Sequence, residues 1–243
     1  MHPLGPILVG RWNYPRSACE TALQNYGPLA ARAPRELTSA FTLTSRGLSM
    51  TVLWSGPVEG AEKAIEPYGA LAQPESGMIG GQTFLELQSR NDAHFAWGRR
   101  CYAKGGFLQD IDDTAITSLM GSIADSPTPD SELYVLQLGG AIADVDENAT
   151  AYSGRQAGFY WIAEPVWDTA ADDARCIKWG RQAAGRLTAI SQAGNYVNEQ
   201  ADVGKDVAYS AYGAEKYRRL AKLKGRFDPA NVFRLNQNIQ PEA

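Results

Sequence analysis

Between Leu48 and Trp54 the chain alternates. Leu48, Met50, Val52 and Trp54 are apolar, and Ser49, Thr51 and Leu53 lie between them. Period two is the mark of a strand with one buried face. Ser45-Arg46-Gly47 reads as the turn before it, and Leu37–Leu43 as the strand before that turn. Ile7–Trp12, Leu133–Leu138 and Gly158–Trp167 read as further strands. In the last of these, Tyr160, Ile162 and Glu164 share one face, and Phe159, Trp161 and Ala163 share the other. One set should line a cavity and the other should meet helices. The pattern does not say which, although core packing suits the Trp side chains.

Helical periodicity appears between these strands. Ser17-Ala18-Cys19-Glu20 reads as a capping box opening a helix with Ala22, Leu23 and Tyr26 on its apolar side, which ends near Gly27-Pro28 or shortly beyond. Ala61–Leu71 reads as a helix broken at Pro67, and Thr83–Ser89 as a short one. Asp112-Asp113 opens a helix to Ala124, and Thr169-Ala170-Ala171-Asp172 opens a long one to Ile190. Tyr209–Arg226 forms the last helix, broken at Phe227-Asp228-Pro229, where Asp228 would cap a short helical stretch. Strands and helices do not alternate strictly. That order predicts an α+β fold with a largely antiparallel sheet and helices packed against it.

Composition narrows the function classes. The 243 residues carry 23 Lys+Arg and 27 Asp+Glu, a net charge of −4. Mild acidity argues against a general nucleic-acid or anionic-membrane surface. No apolar run reaches the roughly 20 residues of a membrane span. Met1–Gly10 lacks the basic start and apolar stretch of a signal peptide. Three scattered cysteines without a CxxC fit free thiols in a reducing, cytoplasmic setting. Two histidines, His2 and His94, cannot build a His-rich metal centre, and no metal site is expected. His94 reads as a surface or structural residue. Gly77–Gly81 and Leu138–Ala141 read as glycine turns, and neither matches a nucleotide-binding loop.

The C-terminal stretch is more specific. Tyr196-Val197-Asn198 is followed by Tyr212-Gly213, then by Tyr217, Leu220 and Lys224, then by Asp228-Pro229-Ala230-Asn231-Val232-Phe233-Arg234. In order and spacing this resembles the C-terminal segment of the berberine bridge enzyme-like family, FAD-linked oxidoreductases of the vanillyl-alcohol oxidase fold. Gly5–Gly10, Ala33–Leu37, Trp54-Ser55-Gly56, Tyr102–Phe107, Gly139-Gly140-Ala141 and Thr150-Ala151-Tyr152 with Arg155 extend the resemblance upstream. It covers essentially the whole chain.

The resemblance implies a substrate-binding α+β domain over residues 1–190. It also implies a berberine-bridge-type segment over 191–243 that packs back toward the FAD site. The family's FAD-binding domain would precede this region, so the chain resembles a substrate half that needs a separate FAD domain. The implied cofactor is FAD, and the implied partners are a small-molecule substrate and an FAD-domain chain or a second copy. The implied reaction is oxidation of an alcohol or amine carbon. Tyr196 would be the catalytic base and Asn198 would contact the cofactor. Tyr152, Arg155, Tyr160, Glu164, Tyr102 and Lys104 would lie around the substrate. A phenol ordinarily titrates near 10, so a cation or the flavin environment would have to lower it, and Arg155 and Lys104 are the candidate cations. Glu199 stands where the family commonly has an aromatic residue. Lys216, Arg218, Arg219, Lys222, Lys224 and Arg226 make the last helix basic, which reads as a solvated face or a docking surface. The alternative is a non-catalytic remnant of the same fold that binds a small molecule or a partner.

Overall fold

The computed structural model describes residues 7–242. His2 and Gly5-Pro6 lie outside them. The strands are β1 (Ile7–Pro15), β2 (Leu37–Thr44), β3 (Gly47–Trp54), β4 (Ser76–Gln82), β5 (Arg100–Cys101), β6 (Lys104–Leu108), β7 (Glu132–Gln137), β8 (Phe159–Glu164) and β9 (Val166–Trp167). The helices are α1 (Cys19–Ala30), α2 (Ala61–Ile65), α3 (Phe84–Ser89), α4 (Asp113–Ala124), α5 (Asp173–Thr188) and α6 (Lys205–Phe227). Seven strands form one sheet in the order β4-β1-β3-β2-β7-β8-β6, with every neighbouring pair antiparallel. The α+β expectation holds.

Register assigns the two faces. Trp12, Met50, Phe41, Val135 and Trp161 lie side by side across five strands. All are buried under α1, α4 and α5, against Leu23, Tyr26, Leu119, Trp179 and Leu187. One residue along, the row reads Asn13, Ser49, Thr42, Tyr134 and Ile162 on the opposite face. The sheet is therefore apolar toward the helices and mixed on its open side, as half-buried antiparallel sheets are.

Several local readings need correction. Ser17 does not cap α1: a 3-10 turn covers Arg16–Ala18, and Ala18 precedes the helix without a side-chain cap. A reciprocal capping box forms instead at Thr83 and Glu86. Asp112 does cap α4, accepting from Ala115 N at 2.8 Å, whereas Asp172 makes no such bond and pairs with Arg175. The stretch from Gly158 to Trp167 is two strands. Pro165 lacks an N–H and ends β8, and β9 leaves to pair with β5. Gly77–Gly81 is not a turn but the edge strand β4. Asp228 closes a turn rather than starting a helix, accepting from Val232 N and Phe233 N.

The segment after α5 crosses the open face. Tyr196 precedes a 3-10 turn over Val197–Glu199, and α6 follows. Two helical stretches join within α6 at Gly213, whose φ of 71° with ψ of 166° is backbone that suits glycine. No helix among the described residues is long and apolar enough to cross a membrane.

Candidate active site

The faces of β8 settle which residues meet the helices. Phe159, Trp161 and Ala163 belong to the core. Tyr160 and Ile162 look the other way and pack with Phe107, Tyr134 and Tyr196. Strand β6 makes room for this arrangement. A Cβ on Gly105 would fall 2.2 Å from the Tyr160 hydroxyl, so only glycine lets that ring lie flat across the strand.

Four tyrosines thereby converge. The Tyr196 ring lies 6.0 Å from that of Tyr152 and 6.1 Å from that of Tyr160. With Tyr134, Ile162, Leu136, Leu138, Ile142 and Glu199 they enclose a cavity of about 240 Å³. Asn198 Nδ2 donates to Tyr196 Oη at 2.7 Å. The two side chains do meet, through a 3-10 turn rather than along the extended segment that a period of two would need. Tyr160 is only 6% exposed, and its hydroxyl has no hydrogen-bond partner. Burial drives its pKa far above that of a free phenol, and the charges of Glu199 and Glu164 add to the effect.

The expected cations stand elsewhere. Arg155 is buried at 8% exposure, with its guanidinium 5.3 Å from the Tyr152 ring centre and bonded to Ile142 O and Thr150 Oγ1. Lys104 Nζ is 2.9 Å from Asp202 Oδ2. Tyr102 donates to the same carboxylate, and Arg181 reaches both. Desolvation pushes Asp202 upward, but hydrogen bonds from Lys104, Arg181 and Tyr102 outweigh it and hold the carboxyl at about 2. Tyr102 and Lys104 thus fasten the C-terminal segment to β6 and do not line the tyrosine cavity. Neither Arg155 nor Lys104 contacts Tyr196.

Glu164 sits opposite Glu132 across the β7–β8 ladder. Burial pushes both carboxyls up to about 7, helped at Glu132 by the charge of Asp130 and at Glu164 by those of Glu132 and Glu199. His94 Nε2 is 3.5 Å from Glu132 Oε2, which places this histidine on the open face rather than free at the surface. Glu132 and Tyr134 escaped the sequence reading. The alternation Tyr134, Leu136 within the expected strand Leu133–Leu138, extended back by one step to Glu132, carried the signal, since it puts all three beside Tyr160 and Glu164.

Lys216 is the clearest departure from a solvated basic helix. It is 4% exposed, and its Nζ bonds to Glu147 Oε1 at 2.5 Å, Tyr152 O at 2.8 Å and Ser153 Oγ at 3.3 Å. Arg219 adds a bond to Asn148 O. Helix α6 therefore grips the loop that carries Tyr152.

Residues 195–240 match the family model described as berberine and berberine like. An FAD-linked oxidoreductase of Dictyostelium discoideum is 23% identical over 99% of this chain and 53% of its own length. The crystal structure of aclacinomycin oxidoreductase superposes with a TM-score of 0.82 at 20% identity, over 99% of this chain and 56% of the other. Physcomitrella patens BBE-like 1 gives 0.83 at 15% identity, over 100% and 56%. The resemblance to berberine bridge enzyme-like, FAD-linked oxidoreductases is borne out along the chain. The chain spans about half the length of the curated relatives it matches.

Proposed function

We propose that this chain forms the substrate side of an FAD-dependent oxidoreductase that oxidises an alcohol or amine carbon, with an FAD-binding half completing the site. The observation that carries this reading is the tyrosine cavity on the open sheet face, closed by the same Tyr196–Asn198 turn that lies in the family match. The residues present fit one wall of a flavin site. Tyr160 Oη on this face and Asn195 Oδ1 on the segment crossing it are buried polar atoms without partners, as is Oε1 of Gln237, whose Nε2 bonds Gln200 O and Asp202 O of that segment. Buried polar atoms are ordinarily paired, and a ring edged with carbonyl and N–H groups offers partners. Tyr196 and Asn198 are the residues that would hold it.

When bound, FAD supplies an acceptor for the two electrons and the hydride that leave the substrate carbon. The chain's own residues do the rest. Asn198 fixes the Tyr196 oxygen by donating to it and is placed to steady the phenolate charge before the proton arrives. As the phenolate, Tyr196 takes the proton of the substrate hydroxyl or amine and becomes the neutral phenol. Tyr152, Tyr160 and Tyr134 orient the substrate and exclude water. The exposed apolar side chains Leu223, Phe227, Val232, Phe233 and Leu235 support a second protein surface covering the C-terminal segment.

The test is an absorbance spectrum after incubation with FAD and desalting, for the chain alone and with an FAD-binding half supplied as a separate polypeptide. Flavin bands retained only with both halves, and bleached by an alcohol or amine, are the expected result. Tyr196→Phe should retain the flavin and slow its bleaching by about 10²-fold or more. If neither arrangement retains flavin, or if Tyr196→Phe bleaches at the unmodified rate, the reading fails.

A further inference from the structure

The tyrosine cavity has a chemical bias that the reaction class does not require. Four tyrosine rings line it, and its one ionisable wall group other than phenols is Glu199. At about 240 Å³ it falls below the roughly 300–1,000 Å³ of pockets for whole drug-sized ligands, so it takes a head group. The charges acting on Tyr160 are those of Glu199 and Glu164, both negative. Glu132 stands next along the same face. Two nearby cations act on these rings, Arg155 stacked against Tyr152 and Arg90 through its charge on Tyr134, and neither is part of the cavity wall.

We propose that the substrate of this chain carries an alkylammonium group, seated among Tyr134, Tyr152, Tyr160 and Tyr196 with Glu199 as its counter-charge. The proposal rests on the reading of this face as a substrate site and names the substrate class within it. Aromatic faces attract a cation through their negative π clouds, and the attraction grows when the cation is desolvated. The buried, unpartnered hydroxyl of Tyr160 supplies an acceptor for an ammonium N–H or a dipole for a quaternary head. Glu199 is half desolvated, and burial alone raises its pKa. A cation beside it relieves that cost, whereas an anionic substrate would add to it. A sugar fits this wall less well, because it asks for several paired donors and acceptors and the cavity offers phenols and a single carboxylate.

The test needs no flavin. Calorimetric titration of the full 243-residue chain compares choline with 3,3-dimethyl-1-butanol, which has the same shape without the charge, at fixed ionic strength. Choline should bind about tenfold more tightly. Glu199→Gln should remove most of that preference and leave the alcohol unchanged. Tyr152→Leu, which takes away one ring, should weaken choline by about fivefold, and circular dichroism checks that both variants fold. Equal affinity for the two probes overturns the proposal, as does a preference that survives in Glu199→Gln. The two readings separate cleanly. Flavin bleaching by alcohols without choline selectivity defeats the amine class alone. Choline selectivity without any flavin bleaching defeats the redox reading alone.

Discussion

The helix-covered and open faces of the sheet are built from alternate residues of the same strands, yet the polar groups they bury differ in kind. On the covered side the buried Trp161 Nε1 donates to Ser191 Oγ at 2.9 Å, and Trp179 Nε1 donates to Ser122 O at 2.9 Å. On the open side Tyr160 Oη has no partner, and Glu132 and Glu164 face each other with carboxyls pushed up to about 7. The covered face also leaves Tyr68 Oη and Ser122 Oγ without partners, but these are neutral hydroxyls. The other holds groups that cost stability, and such groups gather where a ligand completes them.

The largest effect separates two adjacent residues. Trp161 is 1% exposed amid the core, so Trp161→Ala should lower unfolding free energy by about 3–5 kcal/mol. Tyr160→Phe removes a buried hydroxyl that has no bond to lose, so it should stay within about 1 kcal/mol and can stabilise. Urea unfolding of the two variants measures both. Similar losses would erase the contrast between the faces.

Titration gives the next effect. Glu132 and Glu164 hold protons in the folded chain that the unfolded chain has already released between about pH 4.5 and pH 7. Folded protein therefore binds more protons in that window, and stability falls as pH rises through it. The loss is on the order of 3–4 kcal/mol for the pair, since each pKa unit is worth about 1.4 kcal/mol and the coupled carboxyls count as one rise from 4.5 to about 7. Glu164→Gln should flatten the fall and be more stable than the unmodified chain at pH 8. Thermal melts from pH 4.5 to pH 8 read this directly, and a flat profile in the unmodified chain would refute it.

Much of the covered face was legible in the chain, because burial on one side imposes a period. Leu48, Met50, Val52 and Trp54 announced β3 and its buried side together. Strands β4 and β6 were not legible. Ser76–Gln82 and Lys104–Leu108 are rich in glycine, which reads as turn, and their strand character comes from neighbours: β1 pairs with the first, and Tyr160 and Trp161 lie across Gly105 and Gly106 of the second. The capping residue of α1 was misread because a 3-10 turn takes up Ser17 before the helix begins. At the candidate site, Tyr196 and Asn198 were visible as a motif. Their meeting with Tyr152 and Tyr160 depends on contacts far apart in sequence, above all the grip of Lys216 on the 147–153 loop.

That grip predicts a smaller, local effect. Lys216→Met keeps the stem and removes the ammonium that bonds Glu147, Tyr152 O and Ser153. Glu147 is partly exposed and can turn to water, so the cost should be about 1–2 kcal/mol, below that of a fully buried pair. Hydrogen exchange should quicken over residues 147–155 and leave the strands of the covered face unchanged. Protection lost across the whole sheet would mean that the loop and the core open as one unit.

The smallest effect tests the β6 edge of the sheet, where Lys104, in register with the core residue Ala163, and Arg181 of α5 pair their charges. Tyr102, Lys104 and Arg181 converge on Asp202, whose carboxyl is held at about 2. An unfolded Asp titrates near 3.9, so here the unfolded chain binds more protons. The stability contributed by Asp202 is present above about pH 4 and is lost as pH falls toward 2, the reverse of the Glu132–Glu164 slope. The side chains are partly open to solvent, so Asp202→Asn should cost no more than about 1 kcal/mol at pH 6. It should also soften the acid limb and leave the limb between pH 4.5 and pH 7 as it was. If both limbs moved together in this variant, the paired cluster at the β6 edge and the unpaired carboxylates of the open face would be one electrostatic unit, and the distinction between them would fall.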